Sequence, residues 1–434
     1  MKQLFQFEFK KYFKKITTWI AVLTSILFVS SLYFLNYSVA EDIQRGNLSF
    51  AQNRVNISKQ ILKELELQKM EAEQNGDVKK ITENKLAIQA SQQSLSKKNK
   101  WIANYSQGNW EEIYEENISE LQFIFKSSKG TNTFPYAIEK QYISLFTARA
   151  TLEELLLLKK NTIEPFIQNT TYTPFLFTIY DQFTGSALDQ WKKSTMRYGT
   201  TGSLFLYQII QYYYIPVLIL LGCFIFGNNI PSEMNNKKRG LHLYYTLPIK
   251  RKSLFLTKYF SGFLSTLVFV LLMLLIPLLC SYFTKGIGNF DYPVLVYEGS
   301  EPNPFGSEYN SLNPIKDQFH FITLKNYFGQ VLLLTALLTF FLYSFYYISS
   351  LLLKSLSITT SFVGIIAFIG MKSFSSPYNP FTYMNIHSVL TGETATLVFN
   401  PSINLSNGIM LTFVLGCTLL FAGYKLFIRT YNQY

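Results

Sequence analysis

Apolar runs long enough to cross a lipid bilayer constrain this chain more than any other feature. A hydrocarbon core needs roughly 20 helical residues. Runs of that order fall at 16–40, 204–227, 259–283, 327–353, 355–371 and 407–428. One water-soluble core could not bury them all, so the soluble class is set aside on span length. The expectation is an all-α polytopic membrane protein with six transmembrane helices and an extracytoplasmic helical domain inserted between the first and second. Trp19 and Tyr33 sit near the ends of the first run, where interfacial aromatics belong. Pro277 predicts a kink late in the third, and a short turn at Lys354 joins the fourth to the fifth.

The formal charge of +12 invites a nucleic-acid reading, but its placement argues for membrane topology. Lys2, Lys10, Lys11, Lys14 and Lys15 precede the first run. There they alternate with Phe5, Phe7, Phe9 and Phe13, as in an amphipathic segment lying in the cytoplasmic interface over 1–15. The loop 228–258 holds seven bases against the single acid Glu233, and Lys425 and Arg429 close the last run. The loop 284–326 holds five acids against three lysines. This is the positive-inside pattern, with both termini (including the tail 429–434) cytoplasmic in a cell membrane and the bases near anionic lipid. No nucleic-acid partner is expected.

Residues 41–203, the domain and its linker, read differently. From Glu41 to Thr201 there are 20 bases and 19 acids, close to neutral. Ile57, Ile61 and Leu65 predict a helix over about 50–74, and Asn75-Gly76-Asp77 a turn. Ile81, Ile88, Leu95 and Ile102 recur at sevens and predict a second helix with a narrow seam. Tyr114 to Phe125 and Ile143 to Leu158 predict two more. Cys223, Cys280 and Cys417 all fall in apolar runs, so this domain must hold together without a disulfide. The segment 373–406 within the block 259–428 carries only Glu393 as a charge, which predicts an outer, re-entrant-like loop covered by protein.

Catalytic motifs are missing. No G-x-x-x-x-G-K-[ST] loop cradles a nucleotide, no G-x-S-x-G elbow is present, and His242, His320 and His387 lie far apart without metal-ligand spacing. No catalytic, cofactor-binding or metal residue is therefore assigned, and the chain is not expected to be an enzyme. The interiors of the runs also lack Asp, Glu, Lys and Arg, against the habit of ion-coupled transporters. Their polar content includes Asn36, Gln208, Gln211 and Gln330, which are candidate pathway residues. Interhelical hydrogen bonding is the plainer role for such groups.

The loop from Pro231 to Lys258 is the most informative segment. Glu233 is followed by Gly240, then Leu247-Pro248, Arg251 and Lys258 at the opening of the third run. This order resembles the membrane subunit of type-2 ATP-binding-cassette transporters of bacterial exporter type. The resemblance implies a permease whose cytoplasmic loop carries a coupling helix, docked on a separate ATPase subunit that holds ATP and Mg. It also implies a second permease subunit, identical or different, completing the pathway. A rigid element ended by Pro248 and held at the lipid surface by its lysines suits such a task. Relatives with a large insertion after the first span look like exporters of peptides or lipophilic compounds. A non-transporting scaffold or sensor, presenting the outer domain to a peptide or cell-wall partner, is the competing reading. A four-span lipoprotein-release permease fits the domain placement but not the extra runs.

Overall fold

A computed structural model describes residues 2–127, 133–181, 183–227, 250–302, 312–314 and 318–432. The chain divides into two compact units. The first comprises Met1–Leu35, Thr201–Phe290 and Val294–Tyr434, and the second Asn36–Thr200 with Asp291–Pro293.

In the first unit, α1 (Lys2–Phe13) is followed after a two-residue break by α2 (Ile16–Gln74). The sequence predicts a span ending near Ala40 and a separate helix from Phe50. The structure instead has one 59-residue helix, and the division between units falls within it. Hydropathy changes at Glu41, but nothing there breaks a helix. No proline occurs before Pro135, and the first effective stop is Asn75-Gly76, where Gly76 takes φ +70°.

The predicted second span is also corrected. It is a broken pair, α7 (Gly202–Ile210) and α8 (Tyr214–Phe226), bent by 82°. Pro216 accounts for the break: it has no N–H to donate and its ring would meet the carbonyl of Tyr212 in a continuous helix. The remaining long apolar helices are α9 (Arg251–Cys280), α10 (Leu324–Leu353), α11 (Leu356–Ser373) and α14 (Leu405–Asn432). With α2 they give, among the described residues, five helices long and apolar enough to cross a membrane, or six if the bent pair is one span. Pro277 lies inside α9, one turn before its end. Lys354, with φ +52°, ends α10 in the left-handed conformation, and its N–H bonds the Ser350 carbonyl.

Between α11 and α14 the chain folds into a 3-10 turn (Pro380–Met384) and two short helices, α12 (Ile386–Leu390) and α13 (Glu393–Leu397). Tyr383, Met384, Ile386 and Val389 are buried there, which is why a segment of this length needs so little charge. Short antiparallel ladders were not foreseen. Here β6 (Ser300–Pro302) pairs with β7 (Leu312–Pro314), and β5 (Pro293–Tyr297) neighbours β8 (Phe319–Thr323).

In the second unit, α3 (Val78–Gln107) starts on the Asp77 side chain, which accepts from the Lys80 N–H, and stops at left-handed Gly108. Helix α4 (Trp110–Ser127) follows. Ile143 lies not in a helix but in β2 (Gln141–Ser144), paired with β1 (Thr133–Ile138). Only then does α5 (Leu145–Lys160) begin, capped by the Ser144 hydroxyl on the Thr147 N–H. The short pair β3 (Ile167–Gln168) and β4 (Arg197–Tyr198) flanks α6 (Gly185–Thr195). Phe134, Phe146 and Trp191 form the apolar centre. Half-buried Asp181 accepts from the Ser144 N–H and the Thr147 hydroxyl, and desolvation pushes its carboxyl above the usual range. Arg197 grips Glu154 with both terminal nitrogens at 2.7 and 2.6 Å, and the hydroxyl of fully buried Tyr292 donates to Glu154 at 2.8 Å.

Candidate functional site: the foot of the third long helix

The coupling candidates Glu233, Gly240, Leu247 and Pro248 lie outside the described residues. Arg251 and Lys258 lie inside them, on the first turns of α9. Arg251 is exposed, whereas Lys258 is fully buried, and its ammonium meets the carboxylate of Glu8 at 2.9 Å. Lysines of this loop are expected at a lipid surface, and Lys258 departs from that. Two charges leave water only when each supplies the other's counter-charge, so this pair ties α1 to the base of α9.

Neighbouring side chains extend the tie. Tyr12 is buried one turn beyond Glu8 and sets its ring edge-on to Phe226 at 5.7 Å. Gly262 is one turn beyond Lys258, and a Cβ there would overlap the Tyr343 hydroxyl. Phe255, Tyr259 and Phe263 repeat at four-residue spacing along α9, and Tyr259 meets Tyr343 and Tyr347 of α10 edge-on. The Tyr259 hydroxyl shares a 2.7 Å hydrogen bond with Ser344. Beside this foot is an apolar cavity of about 150 Å³ lined by Phe9, Phe13, Trp19, Phe226 and Phe269 among others. Sequence reading passes over Glu8 and the Tyr259–Tyr343 contact. The signal for the first was a lone acid among the basic and aromatic residues of 2–15, and for the second the four-residue aromatic period.

The four pathway candidates are dispersed. Asn36 belongs to the second unit, where its amide donates to the Gly199 carbonyl at 2.8 Å. Gln208 lies on α7, Gln211 caps the end of that helix at its exposed bend, and Gln330 is half-buried on α10. Near α7, a polar contact joins separate elements where Tyr327 meets His387. The hydroxyl of buried Tyr327, at the head of α10, lies 3.0 Å from His387 Nδ1 on α12, and Tyr207 of α7 stands edge-on to both rings. Burial pulls the His387 imidazole down to about 4, so it is neutral at neutral pH. On the next short helix, burial pushes the Glu393 carboxyl upward although it accepts from Ser388. No group of three or more His, Cys, Asp or Glu suited to a metal occurs among the described residues.

A family model described as ABC-2 family transporter protein matches residues 15–422. No curated protein and no solved structure gives a significant match.

Proposed function

Because the chain belongs to the ABC-2 family of transporter proteins, a family of membrane permease components, we propose that it is the translocating subunit of an ATP-driven exporter in a bacterial plasma membrane. Two such subunits, identical or different, form the pathway in this reading. Separate ATPase subunits bind ATP and Mg and dock on the loop 228–258, with Glu233 and Arg251 at polar contacts. The observation that carries the reading is the extent of the family match, which takes in all or most of every long apolar helix. The foot of α9 supports it. A push delivered to the loop enters α9 beside Lys258, and the Glu8 pair would pass it to α1 as well. A peptide or lipophilic compound is the proposed cargo, the latter in keeping with the apolar cavity between Phe13, Trp19 and Phe269.

Co-purification from the native membrane should recover an ATPase subunit with the chain. Glu233→Arg reverses a charge at the proposed contact, where like charges can cost several kcal/mol. It should lower ATPase association and substrate-stimulated hydrolysis while the membrane-inserted amount stays normal. Gly240→Pro should be more damaging, and Lys285→Glu, beyond the other end of α9, should change neither. If Glu233→Arg and Gly240→Pro both keep full association and activity, the loop is a topology anchor and the scaffold reading takes its place.

A further inference from the structure

The second unit contains a cleft that the transport reading does not use. Arg54 on α2, Lys97, Lys98 and Trp101 on α3, Glu116 on α4 and Thr171 line a cavity of about 180 Å³. Some lysines of this unit find carboxylates: Lys100 meets Glu112 at 2.6 Å and Lys159 meets Glu115 at 3.3 Å. Among the described residues, Arg54 and Lys98 do not. The Arg54 guanidinium lies over the Tyr172 ring at 5.1 Å and donates to its hydroxyl at 2.8 Å, while Lys98 donates to the Ser58 hydroxyl at 2.7 Å. Neutral partners hold both cations in place without cancelling their charge. Glu116, the acid of the cleft, forms no ion pair with them among the described residues.

The cationic cleft continues into an aromatic one through Trp101, which lines both. Trp101 stacks on Tyr105 at 4.6 Å, and Trp110 meets Tyr105 edge-on at 5.3 Å. At the floor of this second recess is Gln168, 95% buried, whose Nε2 donates to the Phe175 and Thr195 carbonyls. Its Oε1 is buried and has no hydrogen-bond partner. A buried acceptor left unpaired is costly, so a donor at this place is favoured. The recess has space of about 40 Å³, room for one water, which could relay the bond from a larger ligand at the rim.

We propose that the cleft binds the C-terminal end of a peptide, its carboxylate between Arg54 and Lys98 and its terminal side chain on the face of Trp101. Three features select this chemistry together. Uncancelled cations want an anion, an indole face wants a flat or apolar group beside it, and the orphan Gln168 oxygen wants an N–H within reach. A phosphate headgroup satisfies the first but offers no amide donor. The inference concerns binding by the second unit and does not rest on ATP-driven transport.

The test uses the full-length protein in detergent and a defined probe: N-acetylated tripeptides ending in Phe, with a free carboxylate or as the amide. The free acids should bind, and the amides about tenfold or more weakly, as expected for loss of a charge-assisted contact. Arg54→Gln with Lys98→Gln should abolish that preference. Trp101→Phe should retain part of the affinity and Trp101→Ala lose most of it. Lys69→Gln, remote in the sequence of α2 and paired with Glu73, should change nothing. Equal binding of acid and amide overturns the proposal, as does an acid preference that survives the double substitution. Inorganic phosphate binding there while neither peptide does would also overturn it, in favour of a phosphate-bearing ligand.

Discussion

Glu8 and Lys258 are the residues at which one substitution should be felt most. Each is fully buried, and removing one partner leaves the other an uncompensated charge, which typically costs about 3–5 kcal/mol. Glu8→Ala and Lys258→Ala should each lower the thermal midpoint in detergent, and the exchanged pair Glu8→Lys with Lys258→Glu should recover part of the loss. Equal midpoints for all three variants would show that the pair is not closed in the folded protein. His387 gives a second residue-scale prediction. Its folded value of about 4 lies below the ordinary value of about 6.5. The unfolded chain therefore binds a proton in this window that the folded chain refuses. Stability should be full above about pH 6.5 and fall by up to about 3 kcal/mol as pH drops toward 4. His387→Gln should flatten the midpoint between pH 7 and pH 5 relative to the parent.

At the scale of elements, α2 shows what hydropathy can and cannot say. At 1.5 Å per residue it is about 90 Å long. A change from apolar to charged residues marks a change of surroundings, not the end of a helix. That is why the sequence marks a change of surroundings near Ala40, whereas the continuous backbone leaves no such mark. Gly46 lies in this helix with nothing within 4 Å of the position its Cβ would take. Gly46→Ala should stabilise by about 1 kcal/mol, the usual helical difference, and be read as a raised thermal midpoint. Gly262→Ala should do the reverse, because the Tyr343 hydroxyl fills that space. The bend between α7 and α8 was hidden because Pro216 sits within an apolar run whose average hydropathy it hardly changes. The four short ladders were missed for a different reason. A strand such as Gln141–Ser144 is too brief to show a two-residue period, and its partner is set by a turn at Glu139 and Lys140, both at positive φ. The turn at Gly76 carried a physical signal and could be read directly, whereas the four-residue aromatic period of α9 carried one that sequence reading passes over. Lys258 could not, because its burial depends on Glu8, 250 residues away.

For the whole molecule, the second unit draws on two separated stretches of chain. Tyr292 is fully buried within it and donates to Glu154. A fragment spanning Glu41–Thr201 should give a strongly helical circular dichroism spectrum without any response to reductant, but it should melt below the same unit in the intact protein. In the full chain, Tyr292→Phe should reproduce part of that loss, about 1–3 kcal/mol for a buried hydrogen bond to a charged group. A fragment as stable as the unit in the intact protein would show that Tyr292 contributes nothing.

The same stretch, Asp291–Pro293, sets an order of events during synthesis. The ribosome finishes residue 200 and must add 92 more before Tyr292 exists, including all of α9. At 5–20 residues per second this is a wait of roughly 5–20 s. Throughout it, Glu154 and Arg197 lack the Tyr292 hydroxyl, and the space that Tyr292 will fill stands open to chaperones, proteases and neighbouring nascent chains. Quality control therefore has a natural checkpoint: a copy that has made its third long helix can seal the unit, and one stalled before it cannot.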